Sequence, residues 1–500
     1  MDSSKPDAGS GRVVGILAFA GIVAAITQTL VVPLIGELPS LLDTSASNAS
    51  WVITATLLAA AVVTPVAGRL GDMYGKKRML LVSLVPLILG SVLCALSSSV
   101  LPMIAGRGLQ GMGMGVVPLG ISLLRDVVPA EKLGSSIAIM SASMGVGGAL
   151  GLPFSAAIAE NASWRVLFWV VAALSLAVAT LISVFVPAGR ENTSSGRFDV
   201  LGAIGLGTAL ICLLLAVSKG ADWGWGSGTT LGLFAVAVVV LLAWGWWELR
   251  NTEPLVDLRV TARPQVLMTN VASILVGFAM YAQALVIPQL MQLPKETGYG
   301  LGESMLAMGL WMAPAGLMMM VMSPLGAMLS AKSGPRITLS VGSLVIAIGY
   351  GISLPLVGTG STWGLLAVTI VCNTGVGFAY GAMPALIMGA VPQSETASAN
   401  SFNTLMRSIG SSVSAAVIGV VLAQMTTDFG GFALPSEAGF RAAMMLGCGV
   451  GLAAAVVAFL IPVRPVEAPS ATEEAPDALS PETSEASKTS GASAVSEVKA

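Results

Sequence analysis

Fourteen separate runs of about twenty mostly apolar residues divide this chain, and that repetition leaves few folds open. A bilayer core offers no water to backbone N–H and C=O groups, so a crossing segment must satisfy them internally as a helix or within a closed barrel. The runs are too long and too continuously apolar for barrel strands. They start near Val13, Trp51, Met79, Leu101, Leu133 and Val166, then near Val200 and Thr229, then near Val266, Ser304, Ile337, Trp363, Ala399 and Phe440. The expected fold class is therefore an all-α polytopic membrane protein. Only 10% of residues are charged, against about 25% in soluble domains, and the 58 glycines suit helices that must approach closely without a hydrophobic drive.

Composition also narrows function. The chain has no histidine, which removes His-based proton relays, His metal sites and Ser/His triads, so no enzyme, metal or cofactor is expected. Cys94, Cys212, Cys372 and Cys448 stand singly in apolar runs and read as packing residues. A net charge of −2 gives no footprint for nucleic acid. The first apolar run, Val13 to Gly36, exceeds a signal-peptide core of about 7 to 15 residues and reads as a retained span.

Orientation follows from the basic residues of the short loops. With a cytoplasmic amino terminus, the inner loops hold Lys76, Lys77, Arg78, Arg125, Lys132, Arg190, Arg197, Arg250, Arg259, Arg263, Lys332 and Arg336. The outer loops hold only Arg165, Lys219, Lys295 and Arg441. Both termini are then expected inside. From Arg464 the composition turns to Ala, Ser, Pro, Thr and Glu, which reads as a disordered cytoplasmic tail over 464–500.

A long-range repeat organises the spans. Pro65, Leu70, Gly75 and Lys77 align with Pro324, Leu329, Gly334 and Arg336 at a constant offset, and Val128-Pro129 has a fainter echo in Val391-Pro392. The second span thus resembles the tenth. We read a short cytoplasmic segment at 1–12, a six-helix bundle at 13–190, an inserted helix pair at 200–250 and a second six-helix bundle at 264–463. Parallel halves of this kind suit alternating access, in which one bundle rocks against the other around a midplane site.

The most specific motif is the loop carrying Gly68, Leu70, Asp72, Gly75, Lys76, Lys77 and Arg78. Its glycines permit a tight turn, Asp72 can cap the next helix, and the basic cluster sets topology. This loop resembles the G-x-L-x-D-x-x-G-R/K-K motif of the major facilitator superfamily, which there latches the cytoplasmic side. The second-half copy carries Ala331 in place of the acid. In the fourth span Arg107 and Gln110 resemble the superfamily's R-x-x-Q-G motif, associated with proton coupling. Arg407 in the thirteenth span is similar to an R-x-x-G found in fourteen-helix drug exporters. An unpaired arginine in lipid is costly, so both must face the protein interior, where bracing of backbone carbonyls is the competing role.

In the fifth span Gly147, Gly151 and Pro153 resemble the glycine-proline signature of antiporters, with the proline displaced by one position and Ser155-Ala156 at the final glycines. The resemblance as a whole is to fourteen-helix drug:proton antiporters. It implies a cavity lined by Gln28, Phe278, Tyr281, Gln283, Trp311, Asn373, Phe378 and Tyr380, with a Met-rich run at 318–322 adding adaptability. No acid sits clearly at mid-span. Arginine holds its proton, so the carrier must be a carboxylate near a span end. Glu37 and Asp126 are the leading candidates, with Asp72, Glu160 and Glu303 behind them.

The implied protein is a monomeric, proton-driven exporter of hydrophobic or amphipathic small molecules in a bacterial plasma (inner) membrane. Proton-coupled or facilitated uptake of a small solute, and a non-transporting membrane sensor, stay open as alternatives.

Overall fold

The computed structural model describes residues 7–31, 34, 38–188, 197–429 and 432–462. One compact unit runs to residue 463, and the remaining 37 residues, on which the expected tail falls, lie outside the described residues, as do Glu37 and the side chain of Glu160.

The first half begins with α1 (Asp7–Thr29), a single turn α2 (Leu38–Leu41), α3 (Ala46–Tyr74) and α4 (Lys76–Leu96). It continues through α5 (Val100–Met112), α6 (Val116–Val127), α7 (Ala130–Asn161) and α8 (Arg165–Phe185). The inserted pair is α9 (Val200–Trp223) and α10 (Gly228–Arg250), followed by the short α11 (Leu258–Thr261). The second half comprises α12 (Pro264–Gln292), α13 (Met305–Ser333), α14 (Pro335–Leu356), α15 (Thr362–Met388), α16 (Thr396–Gln424) and α17 (Glu437–Phe459).

Thirteen of these helices are long and apolar enough to cross a bilayer as unbroken segments among the described residues. The fourth expected span is also present but interrupted: a 3-10 turn at Gly113–Gly115 joins α5 to α6, so the two together make the fourteenth crossing. Three glycines within five residues give the backbone there the freedom to tighten. Helix starts follow local chemistry. Ser45, Asp199, Ser227, Ser304, Ser361 and Ser436 each accept a hydrogen bond from a backbone N–H of the first turn of the helix they precede. Leu96, Leu101, Leu176, Val184, Leu242 and Trp363 are large, apolar and mostly exposed, as a lipid-facing surface requires.

One expectation needs correction. Lys219 is no loop residue: it lies inside α9, 1% exposed, bonded to the Ser50 hydroxyl and paired with Asp222 at 3.1 Å. The all-α fold class holds, with one small addition: β1 (Thr426–Phe429) pairs antiparallel with β2 (Phe432–Pro435) between α16 and α17. This hairpin docks through the Tyr299 hydroxyl, which donates to the Pro435 carbonyl at 2.7 Å. Leu206, Leu210 and Leu214 share one buried cluster with Ala61 of α3 and Leu405 of α16, so the inserted pair touches both halves.

Candidate functional site

The two halves meet along two seams. On one, α7 packs on α13 through small residues: a Cβ on Gly316 would lie 2.0 Å from that of Ala149, and one on Gly309 would lie 3.1 Å from the Pro153 nitrogen. The opposite face of α7 carries Gly147 and Gly151, where a Cβ would lie 2.4 Å from the Ile22 carbonyl oxygen and 2.1 Å from the Thr29 hydroxyl of α1. The glycine run of the fifth span therefore holds one helix between its own bundle and the facing one.

The second seam joins α3 to α16 at the basic end of the molecule, and here the loop motif acquires its partner. Asp72 does not cap the helix that follows it, whose cap position is Gly75 at φ 95° with no side-chain bond. Its carboxylate accepts the Ala397 and Ser398 N–H groups at 3.1 and 2.8 Å, so it caps α16 in the other half. The exposed N–H groups and dipole of a helix start favour a negative charge there. Gly68 makes the approach possible, since a Cβ would fall 2.3 Å from the Ser401 hydroxyl.

Around this cap, Lys76 pairs with Asp126 at 2.8 Å, and Gln393 donates to the other Asp126 oxygen at 3.3 Å. Arg125 donates to the Thr396 hydroxyl at 2.9 Å, and Ser122 donates to the Thr396 carbonyl at 3.2 Å. Lys77 turns aside to the Ser183 carbonyl of α8, and Leu70 is half-buried. The result is a polar clamp joining the halves at one end.

Above the clamp lies a central cavity of about 380 Å³. Five of the eight expected residues line it: Gln28, Tyr281, Gln283, Asn373 and Tyr380. Three do not. Phe278 is buried in the core of the second half, Phe378 packs against Gly326 and Gly342, and Trp311 stacks edge-on against Trp363 with centroids 4.9 Å apart. Of the Met-rich run only Met319 reaches the wall, joined by Met114, Met144, Met280 and Met312, which the sequence reading did not single out. It also missed Leu214 and Ser218 of α9 and the hydroxyl face of α16 formed by Thr404, Ser408, Ser411 and Ser412. That face had a signal, a three-to-four-residue spacing of hydroxyls in an otherwise apolar helix.

The two intramembrane arginines have different fates. Arg107 is 1% exposed and lies outside the cavity lining. It donates to the Thr27 carbonyl at 2.8 Å, the Val52 carbonyl at 3.2 Å and the Gln110 side chain at 2.7 Å, while Gln110 donates to Ser91 at 2.8 Å. One guanidinium thus ties α1, α3 and, through Gln110, α4 to α5. Arg407 reaches the cavity and sits over the Tyr380 ring at 4.4 Å. None of the expected proton carriers that are described lines the cavity: Asp72 and Asp126 belong to the clamp, and Glu303 stands at the start of α13.

Two helical bundles of membrane-spanning length enclosing a cavity, clamped at one end, define the architecture of a multi-pass membrane transporter. The comparisons with known proteins narrow the class: the family model described as Major Facilitator Superfamily matches residues 17–415, and the chain belongs to that superfamily. The chain is 28% identical over 432 residues to the uncharacterized MFS-type transporter Rv1877 of Mycobacterium tuberculosis, covering 84% of this chain but 61% of that protein's length. It is 25% identical to Multidrug resistance protein 3 of Bacillus subtilis, covering 86% of this chain and 83% of that one. Among solved structures, the proton:xylose symporter XylE superposes with a TM-score of 0.63 at 13% identity, covering 91% and 97% of the two chains. That likeness is one of fold.

Proposed function

We propose that the protein is a proton-driven exporter of hydrophobic or amphipathic small molecules, of the fourteen-helix drug:proton antiporter kind. It works by alternating access as a monomer in a bacterial plasma (inner) membrane, with both termini cytoplasmic. The observation that carries this reading is the cavity of about 380 Å³ between two bundles whose basic ends are clamped by Asp72 on α16. A volume in the range of about 300–1,000 Å³ with mostly apolar walls suits a drug-sized ligand. The positive-inside rule places the clamped end in the cytoplasm, so the structure corresponds to the state closed to the cytoplasm. The multidrug resistance name of one relative supports export as the direction.

For the proton, Asp126 is the carboxylate this reading selects. It is held by Lys76 in the clamp, so protonation would release the lysine and loosen the contact between halves. One observation favours a second reading, facilitated passage without protons: no carboxylate among the described residues lines the cavity.

Inverted membrane vesicles energised with a pH gradient separate the two. Antiport predicts compound-dependent proton release that is lost in Asp126→Asn. Uptake of compound into the vesicles that continues unchanged after the gradient is collapsed would establish facilitated passage instead.

A further inference from the structure

We infer that the substrate is an amphipathic organic anion, a carboxylate, sulfonate or phosphate-type acid on an apolar body, held by Arg407 above Tyr380. This rests on the reading of the central cavity as the transport site and deepens it.

The argument starts from the contrast between the two buried arginines. The Arg107 guanidinium is tied off by two backbone carbonyls and an amide. That of Arg407 makes no hydrogen bond and no ion pair among the described residues, although Arg407 is only 8% exposed. Its recorded contact is the face of Tyr380, 4.4 Å from the ring centroid. A fork of N–H donors seated over an aromatic ring and making no hydrogen bond of its own is available to a two-oxygen acceptor. Burying such a cation without a partner is unfavourable, and an anionic ligand removes that penalty on binding.

The rest of the lining points the same way. Among the described residues Arg407 is the one charged residue on the wall of the cavity, and the small void beside it, bounded by Ser141, Asn400 and Asn403, holds no acid among them either. A cationic compound would meet a like charge here with no carboxylate to offset it. Gln283, the Thr404 hydroxyl and the second N–H of the Asn373 amide, whose first is donated to the Thr369 carbonyl, can hydrogen-bond the remaining oxygens of an acid. Met144, Met280, Met312 and Met319 offer an adaptable surface to the apolar body.

Charge selectivity is measurable with matched fluorescent triads: one polycyclic aromatic body carrying a butyrate, a butanol or a butyl-trimethylammonium tail, with several bodies of different size. Equilibrium binding to the detergent-purified full chain should favour the anion over both partners by at least tenfold for the bodies that fit. Arg407→Gln should abolish that preference, and Arg407→Lys should restore part of it. Triads in which cation or alcohol binds as tightly as the anion, or in which no member binds, overturn the proposal, and so does an anion preference that survives Arg407→Gln. The wild-type comparison stands even if the glutamine variant fails to fold. Counterflow of the preferred probe in proteoliposomes tests the transport reading separately. Charge-selective binding without counterflow supports the anion site while removing the transport function.

Discussion

At the residue scale, the pair Arg107 and Arg407 separates bracing from recognition. Both stand in apolar helices with a glycine within three residues, so their local sequence reads alike, and only the neighbours brought by the fold tell them apart. Arg107→Ala removes three charge-assisted hydrogen bonds and leaves the Gln110 amide oxygen without its donor, which should cost about 1–3 kcal/mol, the range for a buried polar group left unsatisfied. Thermal unfolding in detergent should show a markedly lower midpoint, with ligand affinity per folded molecule unchanged because Arg107 is outside the cavity lining. A weakened affinity at unchanged stability would place it in the binding site instead. Asp72 makes the same point about legibility. Its acidity and position in the motif loop are plain in the sequence, but its partners lie 325 and 326 residues away, and no local pattern identifies them.

At the scale of elements, hydropathy made the spans legible because length and apolar content are what a bilayer selects. Most starts fall within a few residues of the expected ones, with α1 beginning earlier, at Asp7. What hydropathy could not convey is which side of a helix faces what. The glycines of α7 illustrate this: Gly147 meets the α1 backbone, whereas Gly148 has nothing within 4 Å and faces the cavity. Gly147→Ala should therefore lower stability by about 1–3 kcal/mol through overpacking. Gly148→Ala should stay within about 0.5 kcal/mol. Melting curves of the two variants measured side by side check the pair, and equal effects would mean that α7 is rotated relative to this structure. The hairpin of β1 and β2 was missed for a related reason. Four-residue strands carry too little periodicity to compete with the long apolar runs on either side.

At the scale of the whole molecule, the proposed alternating access makes the clamp set the balance between states closed and open at the basic end. Asp72→Asn keeps one acceptor oxygen but loses the charge at the start of α16, weakening the closed state by about 1–2 kcal/mol, or about 5- to 30-fold in population. Ser401, fully buried against Gly68 in the clamp, can report this. In a background without the four native cysteines, Ser401→Cys should react with a water-soluble maleimide faster when Asp72→Asn is present. An unchanged rate would show that the cap does not hold the halves together.

The unpaired cation of the cavity also has an electrical consequence. Work on a charge crossing the whole membrane field is about 2.3 kcal/mol per 100 mV, and a charge that shifts through part of the field experiences a proportional part. In the proposed cycle the export step carries Arg407, which lines the cavity, and its anion as a neutral pair, whereas the return step carries the guanidinium without its anion, together with the exchanged proton. Membrane voltage should then bias the return step while leaving the anion-loaded step nearly untouched, making turnover voltage-dependent through the half-cycle that carries no anion.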